Sequence, residues 1–307
     1  MLSRLRHPNP YLLLTLAALF WSGNMVVGRA VHDSVPPISL AFWRWMVAFA
    51  LTLPLALPHL RSQWPILRRK WRMLLLLGFL SVSCFNTFAY IGLQYTTATN
   101  AALLNSFIPI AIVAISWVFL GKRLRGIEAL GIATSFAGVL VIVSRGELAV
   151  LLDLGLNVGD LWLMLAVLSW AIYTVCLQWR PAGLDPVLML ATLILIGIVT
   201  LIPLYAWELA AGRTIRISLP ALAGIAYTGI FAAFLSYICY NRGVAEVGPA
   251  KAGLFIHLMP VFGTLLAAMF LGETPRGYHL VGIALIFTGI YLTTHTKPFK
   301  LFFRESS

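Results

Sequence analysis

One histidine, His257, stands in an apolar run one helical turn before Pro260. Hydrocarbon offers a polar side chain no partner, so such a residue is a functional candidate by default. An imidazole titrates near neutral pH and would bind a carboxylate or carry a proton. A histidine satisfied by a neighbouring carbonyl is the other reading. Asn24, Asn86, Asn100 and Asn105 bring amide donors and acceptors into further apolar runs, and Tyr90, Tyr173, Tyr237 and Tyr240 bring hydroxyls and rings. Such groups would hold a small zwitterion, with acceptors for an ammonium and donors for a carboxylate. They would serve equally as glue between helices, at about 0.6 kcal/mol each. Trp21, Trp170 and Phe85 would face an aromatic or apolar group; packing is their alternative use. Lys251, just after Pro249, would attract an anion or take part in gating or packing. Arg44 is also embedded, and snorkelling or pairing with backbone carbonyls is the role expected of it.

The elements that must position these residues are membrane helices. The 307 residues are 60% hydrophobic and 10% charged, with a mean hydropathy of +0.90. A soluble domain carries about 25% charged residues, so a soluble globular protein is excluded. Apolar runs of spanning length fall at 11–31, 37–58, 73–93, 98–120, 125–144, 158–179, 186–207, 219–241, 249–271 and 276–295. The first run is expected to be a retained helix, because no small-residue cleavage site follows it.

The net charge of +12 does not point to nucleic acid, since most basic residues lie in short gaps between apolar runs. Fifteen fall on one side of the expected topology and five on the other, which places both termini in the cytoplasm of a cell (inner) membrane protein. Cys84, Cys176 and Cys239 all lie in apolar segments without metal-ligand spacing. No metal centre and no cofactor is expected. No soluble catalytic segment and no His/Asp/Glu cluster appears, so an enzyme is not expected either.

The chain repeats itself. Pro109 answers Pro260, and Leu120-Gly121 answers Leu271-Gly272, both at an offset of 151 residues. Trp21 answers Trp170, Pro37 answers Pro186, and Gly131 and Gly138 answer Gly282 and Gly289. Five helices per copy is an odd number, so the second copy enters the membrane from the opposite side. Its matching loops should shed positive charge, and they do: Gly-Lys-Arg-Leu-Arg-Gly at 121–126 becomes Gly-Glu-Thr-Pro-Arg-Gly at 272–277. The expected fold is an all-α polytopic membrane protein. Its ten transmembrane helices form two inverted five-helix repeats around a central cavity. The first repeat spans 11–144, a linker 145–157, and the second repeat 158–295. Proline-interrupted helices in matching positions of inverted halves point to a transporter. Pro109 and Pro260 should be hinges where helices 4 and 9 bend, while the paired glycines let helices 5 and 10 pack closely.

Phe-Trp-Ser-Gly-Asn (20–24), Phe-Trp-Arg-Trp (42–45), Ser-Trp-Ala-Ile-Tyr-Thr-Val (169–175) and the run 260–273 resemble the EamA family of the drug/metabolite transporter superfamily. Among its branches the chain looks most like the YddG-type aromatic amino acid exporters. Lys122 departs from the glutamate that members often carry there, as the second half does at Glu273. The resemblance implies a basket in which helices 1, 3, 4, 6, 8 and 9 line the cavity, and export of small metabolites by alternating access. The expected cargo is an amino acid, aromatic or hydrophobic ones favoured, moved by a facilitator or weakly coupled carrier. No carboxylate lies mid-membrane in the lining helices to relay protons. That lack also counts against the alternative, a multidrug or organic-cation exporter on the same scaffold. A phosphorylated-metabolite carrier would need paired cations, and only Lys251 is well placed. A small-molecule substrate and the bilayer are the expected partners, with a monomer expected.

Overall fold

A computed structural model describes residues 8–121, 124–152, 155, 157–271 and 274–295. Lys122 and Glu273, and the basic residues beyond the first and last helices, lie outside the described residues. Among the described residues, ten helices are long and apolar enough to cross a membrane: α1 Pro10–Gly28, α2 Pro37–Arg69, α3 Trp71–Leu93, α4 Asn100–Leu120, α5 Gly126–Val143, α6 Val158–Trp179, α7 Pro186–Ala210, α8 Leu219–Val247, α9 Pro249–Phe270 and α10 Gly277–Thr294. Below, the side on which α1 begins and α10 ends is the near side, and the opposite one the far side.

Two helices outrun their apolar segments. α2 does not stop near residue 58 but continues through Pro65 to Arg69, so Arg61, Arg68 and Arg69 extend a helix instead of forming a loop. Arg68 and Arg69 occupy its last turn, where cations meet the negative end of the helix dipole. α8 likewise runs on past residue 241 to Val247. Between the halves, Leu148–Leu152 forms a short helix.

The two five-helix repeats are inverted, and their contacts answer one another. α1 packs on α8 and α9; in turn α6 packs on α3 and α4. α2 lies on α7, and α5 on α10. The correspondence reaches single side chains. Leu163 fills the space above Gly92, and Leu14 fills that above Gly243. A Cβ on Gly78 would meet the Leu193 carbonyl at 3.0 Å, and one on Gly229 the Arg44 carbonyl at 2.9 Å. Each glycine pair is offset by 151 residues, and each of the other pairs by 149. In α5 and α10 the expected close approach is present: a Cβ on Gly138 would lie 2.6 Å from the Gly282 carbonyl, and one on Gly282 2.7 Å from that of Gly138.

Four of the lining helices are irregular at matching depths. α4 breaks after Asn105 and resumes at Ile108, just ahead of Pro109. α9 passes through a 3-10 turn at Phe255–His257, just ahead of Pro260. α3 widens into a π-helix at Phe79–Cys84, and α8 does so at Thr228–Leu235. Nothing in the hydropathy pattern marks those two segments. π-helical turns leave backbone groups out of register and recur at functional sites.

Candidate functional site

Helices α1, α2, α3, α6 and α8 meet on an aromatic cluster at the interface of the halves. Trp21 and its repeat counterpart Trp170 are in edge contact, with ring centroids 5.2 Å apart. Tyr240 lies 5.2 Å from Trp21 and 5.4 Å from Trp170. Phe85 is 5.0 Å from Trp170, and Tyr237 is 5.5 Å from it. Trp45, from α2, stands edge-on to Tyr237 at 5.1 Å. Such offset and edge geometries suit the quadrupoles of the rings.

The π-helices supply the cluster's polar anchors. Trp21 donates its indole N–H to the Ala232 carbonyl at 3.1 Å, and Tyr237 donates its hydroxyl to the Ser81 carbonyl at 2.9 Å. Ser81 and Ala232 are again 151 residues apart. Carbonyls freed by each π-helix are therefore taken by an aromatic donor from elsewhere. On the near side Tyr173 donates to Asn241 at 2.7 Å, and Tyr240 shares a hydrogen bond with Thr174 at 3.1 Å.

His257 is closed off from the cluster. It is 1% exposed, with Nε2 3.0 Å from the Ser106 carbonyl and Nδ1 2.7 Å from the Ser135 hydroxyl. A carbonyl can only accept, so Nε2 carries the proton and Nδ1 of the neutral ring accepts from Ser135. Ser106 is the repeat counterpart of His257, at the offset of 151. The two broken helices are thus joined at the breaks themselves, α9 to α4, with α5 alongside. Ser22 adds a second tie, donating to the Met259 carbonyl at 2.9 Å.

The other polar candidates separate into engaged and open ones. Asn86 accepts from the Arg44 guanidinium and donates to the Val82 carbonyl at 2.6 Å. Asn100 sits at the far end, its amide 3.4 Å from Asp160. There Thr96 donates to the same carboxylate at 2.6 Å, tying the turn between α3 and α4 to the start of α6. Asn24, Tyr90 and Asn105 are half-buried toward the far side. Lys251 is half-buried in the first turn of α9 on the near side. Arg44, for which sequence reasoning expected a structural role, lies beside the cluster: its guanidinium is 5.2 Å from the Trp45 ring centroid. Its signal was legible, because the residue 149 positions on is Leu193.

Inversion puts equivalent residues on opposite sides of the molecule, so unequal burial shows where the two halves differ. Tyr173 is fully buried while its counterpart Asn24 is half-buried. Asn241 is buried and Tyr90 half-buried. In both pairs the far-side residue, Asn24 of α1 or Tyr90 of α3, is the more open one. On the near side Tyr173, Tyr240 and Asn241 are buried against one another.

Residues 9–144 and 157–295 match the EamA-like transporter family. The chain belongs to that family. It is 25% identical over 286 residues to an uncharacterized transporter, YyaM, of Bacillus subtilis, covering 93% of each chain. An uncharacterized transporter of Archaeoglobus fulgidus is 25% identical, over 92% of this chain and 96% of that one. A WAT1-related chloroplastic protein of Arabidopsis thaliana, At3g02690, is also 25% identical, over 89% of this chain and 66% of its own length. A solved crystal structure superposes with a TM-score of 0.78 at 20% identity, covering 93% of this chain and 96% of that one, and shares the fold. An EamA chain with ten spanning helices is a multi-pass membrane protein of a transporter family. Among the described residues no group of three His, Cys, Asp or Glu side chains is placed to hold a metal.

Proposed function

We propose that this EamA protein exports amino acids, aromatic or other hydrophobic ones preferred, by rocking its two inverted halves about the Trp21–Trp170 contact. The observation that carries the reading is the cluster itself. Trp21, Phe85, Trp170, Tyr237 and Tyr240 bring together four of the six expected lining helices, α1, α3, α6 and α8. An aromatic side chain entering between Trp21 and Trp170 would replace one ring contact with two. The half-buried amides of Asn24 and Asn105 and the Tyr90 hydroxyl lie on the open, far side, where an ammonium would need acceptors. The finer resemblance to YddG-type exporters supports the same cargo.

The protein resides in the cell (inner) membrane with both termini cytoplasmic, as the basic residues imply. The near side is then the cytoplasmic one, and the described conformation is closed to the cytoplasm. Among the described residues no carboxylate stands in the cluster to attract an organic cation, which weighs against the multidrug alternative. Transport is facilitated or weakly coupled, for the same lack of a proton-relaying acid.

Uptake by proteoliposomes of the purified protein tests this reading, with labelled tryptophan, threonine and methyl viologen in parallel. Saturable tryptophan flux inhibited by phenylalanine is expected. Methyl viologen flux without any amino acid flux would overturn it.

A further inference from the structure

Arg44 lies in α2, seven residues from the far end of a membrane-crossing helix, and is 7% exposed. Among the described residues no carboxylate pairs with it. Its Nη2 donates to the Asn86 side-chain carbonyl, its face lies over the Trp45 ring, and its Nε has no hydrogen-bond partner. A cation withdrawn from water and met only by an amide oxygen and a ring face is incompletely compensated.

The fold does not require this charge. The repeat counterpart of Arg44 is Leu193, which is 0% exposed. Both residues offer their carbonyls to equivalent glycines, Gly229 and Gly78. The same backbone site, with the same neighbours, thus closes over a leucine in one half and over a guanidinium in the other. Asn86 likewise stands where the second half has Tyr237. The two halves have parted company at the pair that brings charge to the cluster.

A second observation points to what is missing. Among the described residues, four buried side-chain atoms lack a hydrogen-bond partner: Arg44 Nε, Trp45 Nε1, Trp170 Nε1 and Ser116 Oγ. Three of them are N–H groups, and an indole N–H or a guanidinium can only donate. Two of these side chains, Trp45 and Trp170, stand edge-on to Tyr237, and Arg44 lies over Trp45. Native structures satisfy nearly all buried donors. An excess of unpaired donors around one aromatic cluster, one of them charged, is complementary to an anion that only accepts. A carboxylate matches the fork of a guanidinium through two parallel hydrogen bonds.

We infer that Arg44 is the anchor for the carboxylate of the transported molecule, with the indole N–H groups of Trp45 and Trp170 as neighbouring donors. This rests on the reading that the cargo passes through the aromatic cluster. Binding the carboxylate draws on the free N–H groups and leaves the cargo's apolar part against Trp21, Trp170 and Phe85. Tyr90, one helical turn beyond Asn86 on α3 and half-buried, marks the approach from the far side.

The experiment measures ligand-induced stabilisation of the purified full chain in detergent by indole-3-propionate, by indole-3-propionamide and by inorganic phosphate. The acid and the amide differ at the carboxylate alone. The wild-type protein should prefer the acid about tenfold or more, the size expected of charge-assisted hydrogen bonds. Arg44→Leu, which copies the other half, should bring that preference close to one, and Arg44→Lys should keep only part of it. Equal binding of acid and amide by the wild type would overturn the assignment, as would an undiminished preference in Arg44→Lys. Phosphate matching the acid would overturn the carboxylate class. Should Arg44→Leu fail to fold, the wild-type and lysine measurements still decide. The two readings fail separately. Acid preference without tryptophan flux breaks the amino acid reading and keeps the site, whereas tryptophan flux without acid preference does the reverse.

Discussion

His257 is held at both ring nitrogens, and this decides what its removal does. In His257→Ala the Ser106 carbonyl and the Ser135 hydroxyl would both be left buried without partners, costing about 1–3 kcal/mol for each group. A lower thermal midpoint in detergent is expected, with flux falling only as folded protein is lost. A histidine carrying the transported proton would instead lose pH-gradient-driven flux at an unchanged midpoint. Trp170 presents the opposite case. It touches four other rings of the cluster yet leaves its own N–H unpaired. Trp170→Phe keeps most of the ring contact, so we expect little loss of stability. The half-saturating tryptophan concentration should rise several-fold, since an aromatic pair contributes about 0.5–1.5 kcal/mol. An unchanged value would remove Trp170 from the pathway. The sequence singled out both residues, but it could not say that one is hydrogen-bonded at both ring nitrogens and the other buried with its N–H unpaired. That depends on Ser106 and Ser135, brought in by other helices. Even so, Ser106 stands at the repeat offset from His257, so half of the pairing was there to be read.

At the scale of elements, what could be read followed from periodicity, and what could not followed from tertiary contact. The ten spans and the inverted offset needed only hydropathy and matched residues. The close pairing of α5 and α10 followed from Gly131, Gly138, Gly282 and Gly289. The π-helices of α3 and α8 carry no local signature, because their carbonyls are satisfied from outside by Trp21 and Tyr237. The overrun of α2 was hidden for a simpler reason: its last turns are basic and leave the apolar slab, so hydropathy ends before the helix does. The glycine pairing is open to a direct check. Gly138→Val would force the α5 and α10 backbones apart and should destabilise the protein by about 1–3 kcal/mol, the usual cost of overpacking. Gly263→Ala, in α9, meets nothing within 4 Å. It should be neutral or stabilise by roughly 0.5–1 kcal/mol, as for alanine replacing glycine within a helix. Thermal unfolding of the two variants side by side would expose the contrast, and equal midpoints would refute the packing account.

If transport proceeds by alternation of the two halves, as proposed, the inverted repeat makes the resting state measurable. If the halves were in equivalent conformations, Asn24 and Tyr173 would be equally buried, since they occupy matching places at opposite ends of the pathway. They are not: Tyr173 is sealed by Asn241, and Asn24 keeps part of its surface. Thiols at the two ends should therefore differ in reactivity. In a background with Cys84, Cys176 and Cys239 replaced, Asn24→Cys should react with a membrane-impermeant maleimide about tenfold or more faster than Thr174→Cys, because a buried thiol is shielded from reagent. Thr174 suits the comparison because it is fully buried beside Tyr240 and cysteine nearly matches threonine in size. Intact cells add the sidedness. If both termini are cytoplasmic, as proposed, the Asn24 thiol is labelled from outside without breaking the cells. Labelling only after lysis would invert the topology, and with it the direction of export. A saturating substrate drives the halves through their cycle, so it should raise the slow rate at residue 174 while lowering the fast one at residue 24. If both rates stayed fixed while flux proceeded, the two ends would not be exchanging exposure, and rocking about the tryptophan pair would be the wrong motion.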